Sequence, residues 1–225
     1  MKYLFTLVCL FSILTLSAQD TETRDLSKFT EISVAQGIEL IAQKGSENSI
    51  SLEVSRIDME DVITEVRGGK LYVKLDRGNY RSHRVRATLT YTEELEDINV
   101  STGADVEFKT KIKVERLNIT TSTSGLVTLN IEAEMVDMGA TTSGRIRIEG
   151  TTDEIEVSAS TGGSIDAFDL VANTVYARAN TGADVKLNAE ETLRASAGTG
   201  GSVRYTGKPR TDVRTNTGGS VRRAG

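Results

Sequence analysis

The chain has 225 residues, 38% of them hydrophobic and 26% charged, with a formal net charge of −5 and no tryptophan. One proline, one histidine (His83) and one cysteine (Cys9) exclude a disulfide framework, a cysteine- or histidine-based zinc site and a cysteine nucleophile. The charge is mixed and mildly acidic, which does not read as a nucleic-acid binder, and no metal or other cofactor is expected.

Residues 1–19 read as a secretory signal peptide, with Lys2 as the charged start, a short apolar run from Leu4 to Leu16, and a small-residue cleavage region at Ser17-Ala18-Gln19. The run is too short for a stable membrane span, and Val8 before Cys9 makes a poor lipid-attachment site. The expectation is export to the periplasm, the cell surface or the exterior, as a mature chain without cysteine.

Residues 20–28 are polar and read as a flexible lead. Residues 29–94 hold six strand-like runs, at 29–34, 38–42, 49–54, 62–67, 71–75 and 85–91, separated by turn residues such as Gly37, Gly68-Gly69 and Gly78-Asn79. Ile32-Ser33-Val34-Ala35-Gln36-Gly37 echoes Ile98-Asn99-Val100-Ser101-Thr102-Gly103, so this portion reads as a cap or degenerate opening coils, continuous with the regular repeats after residue 95. Between 77 and 86 lies the densest basic run. There Tyr80, Arg81 and Arg84 are candidate contacts for an acidic glycan or a lipid phosphate, against the plainer reading of a hairpin loop.

From residue 95 to 225 one phrase recurs seven times: Thr, then Gly or Ser, then Gly or Ala, any residue, then Val or Ile. Its threonines are Thr102, Thr123, Thr142, Thr161, Thr181, Thr199 and Thr217, spaced by 18 to 21 residues. A period near twenty predicts an all-β parallel β-helix, or β-solenoid, of about seven coils plus the N-terminal unit. Period-2 alternation through the fourth copy gives an inward series Ile155, Val157, Ala159, Thr161, Gly163, Ile165, Ala167. By that parity the threonines point inward as a structural ladder, which argues against an exposed ice- or lattice-binding strip. Gly125, Gly144, Gly163, Gly201 and Gly219 occupy a narrow inward column beside Ala140, Ala159, Ala179 and Ala197. Serine at the second motif position of two copies argues against an obligatory positive φ there. The stretches 109–116, 130–135, 149–154, 168–174, 188–192 and 206–210 are expected to be loops. Outward, the column after the motif runs Glu107, Thr128, Arg147, Asp166, Lys186, Arg204, Arg222, an alternating surface ion ladder in its middle.

The mature length resembles the secreted Bacteroidetes family called putative auto-transporter adhesin, head GIN domain. The resemblance rests on Phe29-Thr30-Glu31-Ile32-Ser33-Val34 with Gly37-Ile38-Glu39-Leu40, on Gly68-Gly69-Lys70-Leu71-Tyr72-Val73, on Leu95 to Gly103, and on the late coils ending Tyr205-Thr206-Gly207-Lys208-Pro209. The chain departs from the family in Thr92-Glu93-Glu94-Leu95, where members often have proline before Glu-Leu, and in using Thr-Gly where many have Ser-Gly. The resemblance implies an envelope β-solenoid with no established catalytic residues.

A Ser-His-Asp triad would have to use His83, which lies among arginines with no serine-elbow motif nearby. The leading expectation is a non-enzymatic binding or adhesion module whose partner is an envelope glycan or envelope protein, with Tyr176, beside Arg178, as the best outward aromatic. One rival is a periplasmic sensory or scaffolding domain serving a membrane protein. The other is a polysaccharide-active enzyme built on Asp166 and Asp184 with Lys186 and Arg147.

Overall fold

The computed structural model describes residues 20–76, 78 and 83–224, so the signal-peptide reading lies outside the described residues. The strands in chain order are β1 Asp20–Asp25, β2 Glu31–Val34, β3 Glu39–Lys44, β4 Ser49–Ser55, β5 Val62–Arg67, β6 Lys70–Leu75, β7 Arg84–Tyr91, β8 Asp97–Val100 and β9 Asp105–Phe108. Then come the regular coils: β10 Ile112–Thr121, β11 Leu126–Ala140, β12 Arg145–Ala159, β13 Ser164–Ala179, β14 Asp184–Ala197, β15 Ser202–Thr206, β16 Arg210–Thr215 and β17 Ser220–Arg223. From β8 onward every pairing is parallel, with each coil laid on the last: a β-solenoid of about seven turns.

Each coil turns sharply at its motif. Every motif threonine has φ between 40° and 51°, and every second-position residue has φ between 62° and 74°, Ser124 and Ser143 included. Two successive left-handed residues, closed by a bond of 2.8–3.1 Å from the third-position N–H to the carbonyl before the threonine, make a two-residue turn of the I′ kind. This overturns two expectations. Serine does adopt positive φ here, and the threonines are exposed, because the two turn residues step out of the strand alternation. The stack enforces the conformation: the N–H of Gly103, Ser124, Ser143, Gly162, Gly182 and Gly200 each donates to the threonine carbonyl of the next coil, at 2.9–3.2 Å. Those bonds offset a left-handed cost of about 1–2 kcal/mol per non-glycine residue. The threonines therefore form an exposed ridge along turn apices, not the flat strip that lattice binding requires.

Alternation resumes at once after the turn. Gly125, Gly144, Gly163 and Gly201 are buried and their φ values are not positive; they are glycine because of space. A Cβ on Gly163 would stand 2.2 Å from the Ala140 carbonyl oxygen one coil away, and one on Gly201 2.2 Å from that of Ala179. Ala104 and Ala183 fill the same place in two other coils.

Most of the stretches expected to be loops are instead continuous extended backbone; within them the strands are interrupted only at 109–111, between β9 and β10, and at 207–209, between β15 and β16. β11 pairs with β12 from Leu126↔Arg145 to Ala140↔Ala159, and the second corner is a gradual bend carrying irregularities between Arg147 and Glu149 and between Ala167 and Thr174. Gly150 sits at this bend with φ 124°, where a Cβ would lie 1.9 Å from the Ile131 carbonyl oxygen. The turn-like asparagines there are ladder side chains: Asn130 Nδ2 donates to Glu149 at 2.6 Å and Asn173 Nδ2 to Asp153 at 3.0 Å.

The N-terminal unit continues the same stack. β2 and β3 lie parallel to β8 and β9 in the register of the sequence echo (Ile32↔Ile98, Val34↔Val100), and Gln36-Gly37 repeat the left-handed turn at φ 63° and 71°. β6 and β7 stack on the far side of β2 and β3 as a further coil. Antiparallel strands close that end: β5 on β6, β4 on β7, and β1 on β4. Residues 20–25, read as part of a lead, are thus an edge strand, anchored by Arg24 to the Val62 carbonyl (2.5 Å), the Thr64 hydroxyl (3.0 Å) and the Met59 carbonyl (3.1 Å). One buried core runs from Phe29 to Val203 through both portions.

Candidate functional site

Two broad faces flank the sharp turn. The leading face carries the strand segments before it (β6, β2, β8, the second halves of β10 to β14, and β16), and the trailing face those after it. Because register is fixed by the turns, outward side chains form columns that run down each face.

On the trailing face the predicted column is present, with Arg147 beside Asp166 and Asp166 beside Lys186. Several charges here and at the adjoining corner are paired internally, although Arg147 has no salt bridge among the described residues. Lys186 Nζ sits 2.7 Å from Asp166, Arg204 2.8 Å from Asp184, and Lys113 3.0 Å from Glu132. Asp166 and Asp184, the acids of the enzymatic alternative, are therefore each held by a cation from the following coil. Nearer the cap, a concavity of about 380 Å³ is lined by Glu39, Glu53, Asp105 and Glu107, with Arg86 bonded to Glu39 at 3.1 Å. Burial raises the Asp105 pKa, with the neighbouring Glu39 charge adding to the effect and Arg145 opposing it. That concavity repels anions.

The leading face differs along its length. Towards the cap it is satisfied: Lys70 bridges Glu31 (3.0 Å) and Asp97 (3.2 Å), and Asn118 donates to Asp97 at 2.6 Å. Further down, the column reads Asp137, Glu156, Tyr176, Arg194, Asp212, and the one beside it Gly139, Ser158, Arg178, Ser196, Arg214. Here a shallow groove of about 520 Å³ opens over β12, β13, β14 and β16. Half-buried Tyr176 forms its floor, with the Arg194 guanidinium 5.8 Å from the ring centroid. Arg178, Arg194 and Arg214 are exposed, and among the described residues none of them forms a salt bridge. An aromatic ring beside guanidiniums free of carboxylate partners, one of them held against the ring itself, can stack on a sugar while the forks bind carboxylate or sulfate.

Tyr176 is the one sequence-selected contact in this groove. Arg84 stands exposed on β7, on the trailing face and at the opposite end of the stack, so it is not brought near Tyr176. Tyr80 and Arg81 lie outside the described residues. Sequence reading missed Arg194 and Arg214, although a signal existed: adding 18 residues, the local coil length, carries Tyr176 to Arg194 and Ser196 to Arg214.

Among the described residues no group of three or more His, Cys, Asp or Glu side chains is placed to hold a metal, and no helix is long and apolar enough to cross a membrane. No curated protein matches the chain. Solved structures do match its fold. A putative adhesin from Bacteroides fragilis NCTC 9343 aligns with a TM-score of 0.81 at 20% identity, over 92% of this chain and 99% of the other. A putative adhesin from Parabacteroides merdae ATCC 43184 gives 0.78 at 17% identity, over 92% and 96%. A protein described as a putative lipid binding protein from Parabacteroides distasonis ATCC 8503 gives 0.73 at 20% identity, over 92% and 97%. The family described as putative auto-transporter adhesin, head GIN domain, matches residues 28–209, and this chain belongs to it.

Proposed function

We propose that the chain is an exported, non-enzymatic binding or adhesion module of the cell envelope or cell surface. The observation that carries this reading is the leading-face groove, where Tyr176 and three unpaired arginines stand on a rigid ladder open to a long ligand. Family membership supports it, as do the putative adhesins with the same fold. Export rests on the sequence of residues 1–19.

Retention on an array of envelope glycans and surface components, compared between the wild type and Tyr176→Ala, tests the reading. Saturable retention that weakens in the variant is expected; silence across the array overturns it and favours a scaffold for a membrane-protein partner. Release of polysaccharide product that disappears in Asp166→Asn would instead establish the enzymatic alternative.

A further inference from the structure

The charge of this chain is segregated along the solenoid. Residues 192–225 carry seven arginines and lysines against a single acid, Asp212, a formal +6, which leaves −11 on residues 1–191. Folding places Arg178 from β13, Arg194 from β14 and Arg214 from β16 in the leading-face groove, which Glu154, Glu156 and Asp212 also line; Arg210 stands on β16 beside Thr192, outside that lining. On the trailing face of the same coils Lys186 and Arg204 are neutralised by Asp166 and Asp184 at 2.7 and 2.8 Å. The leading-face cations have no such partner among the described residues.

We infer that the C-terminal leading face is a binding site for anionic polysaccharide, with carboxylate or sulfate groups taken by Arg178, Arg194 and Arg214 and a sugar ring stacked on Tyr176. The inference rests on the binding-module reading and deepens it. Arg178 and Arg214 share one column with Ser196 between them, so their backbones stand two ladder steps apart, about 9–10 Å. That is close to one disaccharide of an extended glycan, so a polymer charged on alternate sugars meets both guanidiniums while lying along the stack. A polymer also suits the shape. The cations are spread over three coils in an open groove, with no walls to enclose a small anion. Polysaccharide fits better than a membrane, because the outward residues of this patch are charged, hydroxylic or aromatic, while Val157, Ala177 and Ala195 are buried beneath them and Val213 is the single exposed aliphatic of β16. Three acids share the groove: Glu154 and Glu156 stand on β12, one coil before Arg178, and Asp212 stands on β16 beside Arg194 and in the same strand as Arg214. A polyanion must therefore seat its charges on the guanidiniums and clear of these carboxylates.

The test titrates the purified protein with polygalacturonate, dextran sulfate, uncharged dextran and phosphatidylglycerol vesicles at two salt concentrations. Two variants accompany it: Arg178→Ala/Arg194→Ala/Arg214→Ala, and Lys109→Ala/Lys113→Ala as a control at the second corner, outside the groove. A thermal melt of each variant verifies folding. The wild type should bind at least one charged polymer and not dextran, with affinity falling as salt rises. The triple variant should lose about 30-fold or more, and the control no more than about threefold. A folded triple variant within about threefold of the wild type would overturn the site assignment. Retention of neutral glycans alone would overturn the anionic inference and leave the binding module standing, and binding to vesicles alone would replace polysaccharide with lipid. Silence here and on the glycan array would remove both readings.

Discussion

Replacing Gly163 by valine tests which side of the coil is filled and how tightly. An ideal Cβ at this position lies 2.2 Å from the Ala140 oxygen, 2.6 Å from its carbon and 3.0 Å from the Ser160 oxygen, where ordinary contact begins at 3.4 Å. Two of the three atoms are backbone of the neighbouring coil, so relief requires the coils to part locally by roughly 1 Å. Parting strains the Ser160 N–H bond to Ala140 (2.9 Å) and the turn bond from Gly163 to Ser160 (2.9 Å). Overpacking of about 1–3 kcal/mol, with one or two weakened hydrogen bonds near 1 kcal/mol each, gives a loss of about 3–4 kcal/mol. At this chain length that lowers Tm by roughly 7–14 °C. Valine is more diagnostic than alanine, because Ala104 and Ala183 show that two coils accept a methyl. Gly162→Ala is the internal comparison: φ is +72° and the nearest atom, Ser143 Oγ, is 3.6 Å away, so only backbone strain of about 1–2 kcal/mol is expected. Thermal melts followed by circular dichroism read both variants. A Gly163→Val protein melting within about 2 °C of the wild type, or above Gly162→Ala, would refute the assignment of the buried column.

Ser143 holds φ at 62°, so Ser143→Gly should raise Tm by about 2–4 °C, from release of about 1 kcal/mol of strain; an unchanged or lower Tm contradicts the strained turn. Asp105→Asn should stabilise the protein by a few tenths of a kcal/mol at pH 7, measured by urea unfolding. Since the pKa of Asp105 is raised, chiefly by burial and then by Glu39, its ionised form costs stability at neutral pH, and the gain should vanish as pH falls below the ordinary aspartate range. At Lys70, burial lowers the pKa but is outweighed by the bonds to Glu31 and Asp97, leaving it raised. That contribution is fully present below the ordinary lysine pKa and is lost as pH rises through the raised value. Lys70→Met should therefore lower Tm equally at pH 7 and 9 and converge on the wild type in stronger alkali.

Much of the architecture was legible because the motif fixes register. Once the threonines are aligned, Arg147, Asp166 and Lys186 must be neighbours, and they are. The echo between residues 32–37 and 98–103 likewise located an opening coil that the ladder then displays. Parity failed at one place, the turn itself, because two left-handed residues occupy the apex and belong to neither face. The gradual corner was misread for a different reason. Asn130 and Asn173 resemble loop residues, but in a stack their amides find an acid one coil away, and extended backbone runs through them. β1 is polar on both sides, so no periodicity marks it; backbone pairing with β4 and the Arg24 anchor make it a strand. At the candidate site, Tyr176 was visible as an outward aromatic. Its arginines became neighbours only when the coil length was applied across the turn, and whether they were free or ion-paired depended on side-chain geometry that spacing does not encode.

The most direct measurement is a calorimetric titration of the purified protein with the envelope glycan it retains best, followed by sizing of the recovered polymer after prolonged incubation. The account predicts a saturable isotherm, weakened about 30-fold or more by loss of the three groove arginines, and a polymer of unchanged length. Shortened polymer, or an isotherm indifferent to those arginines, would contradict it.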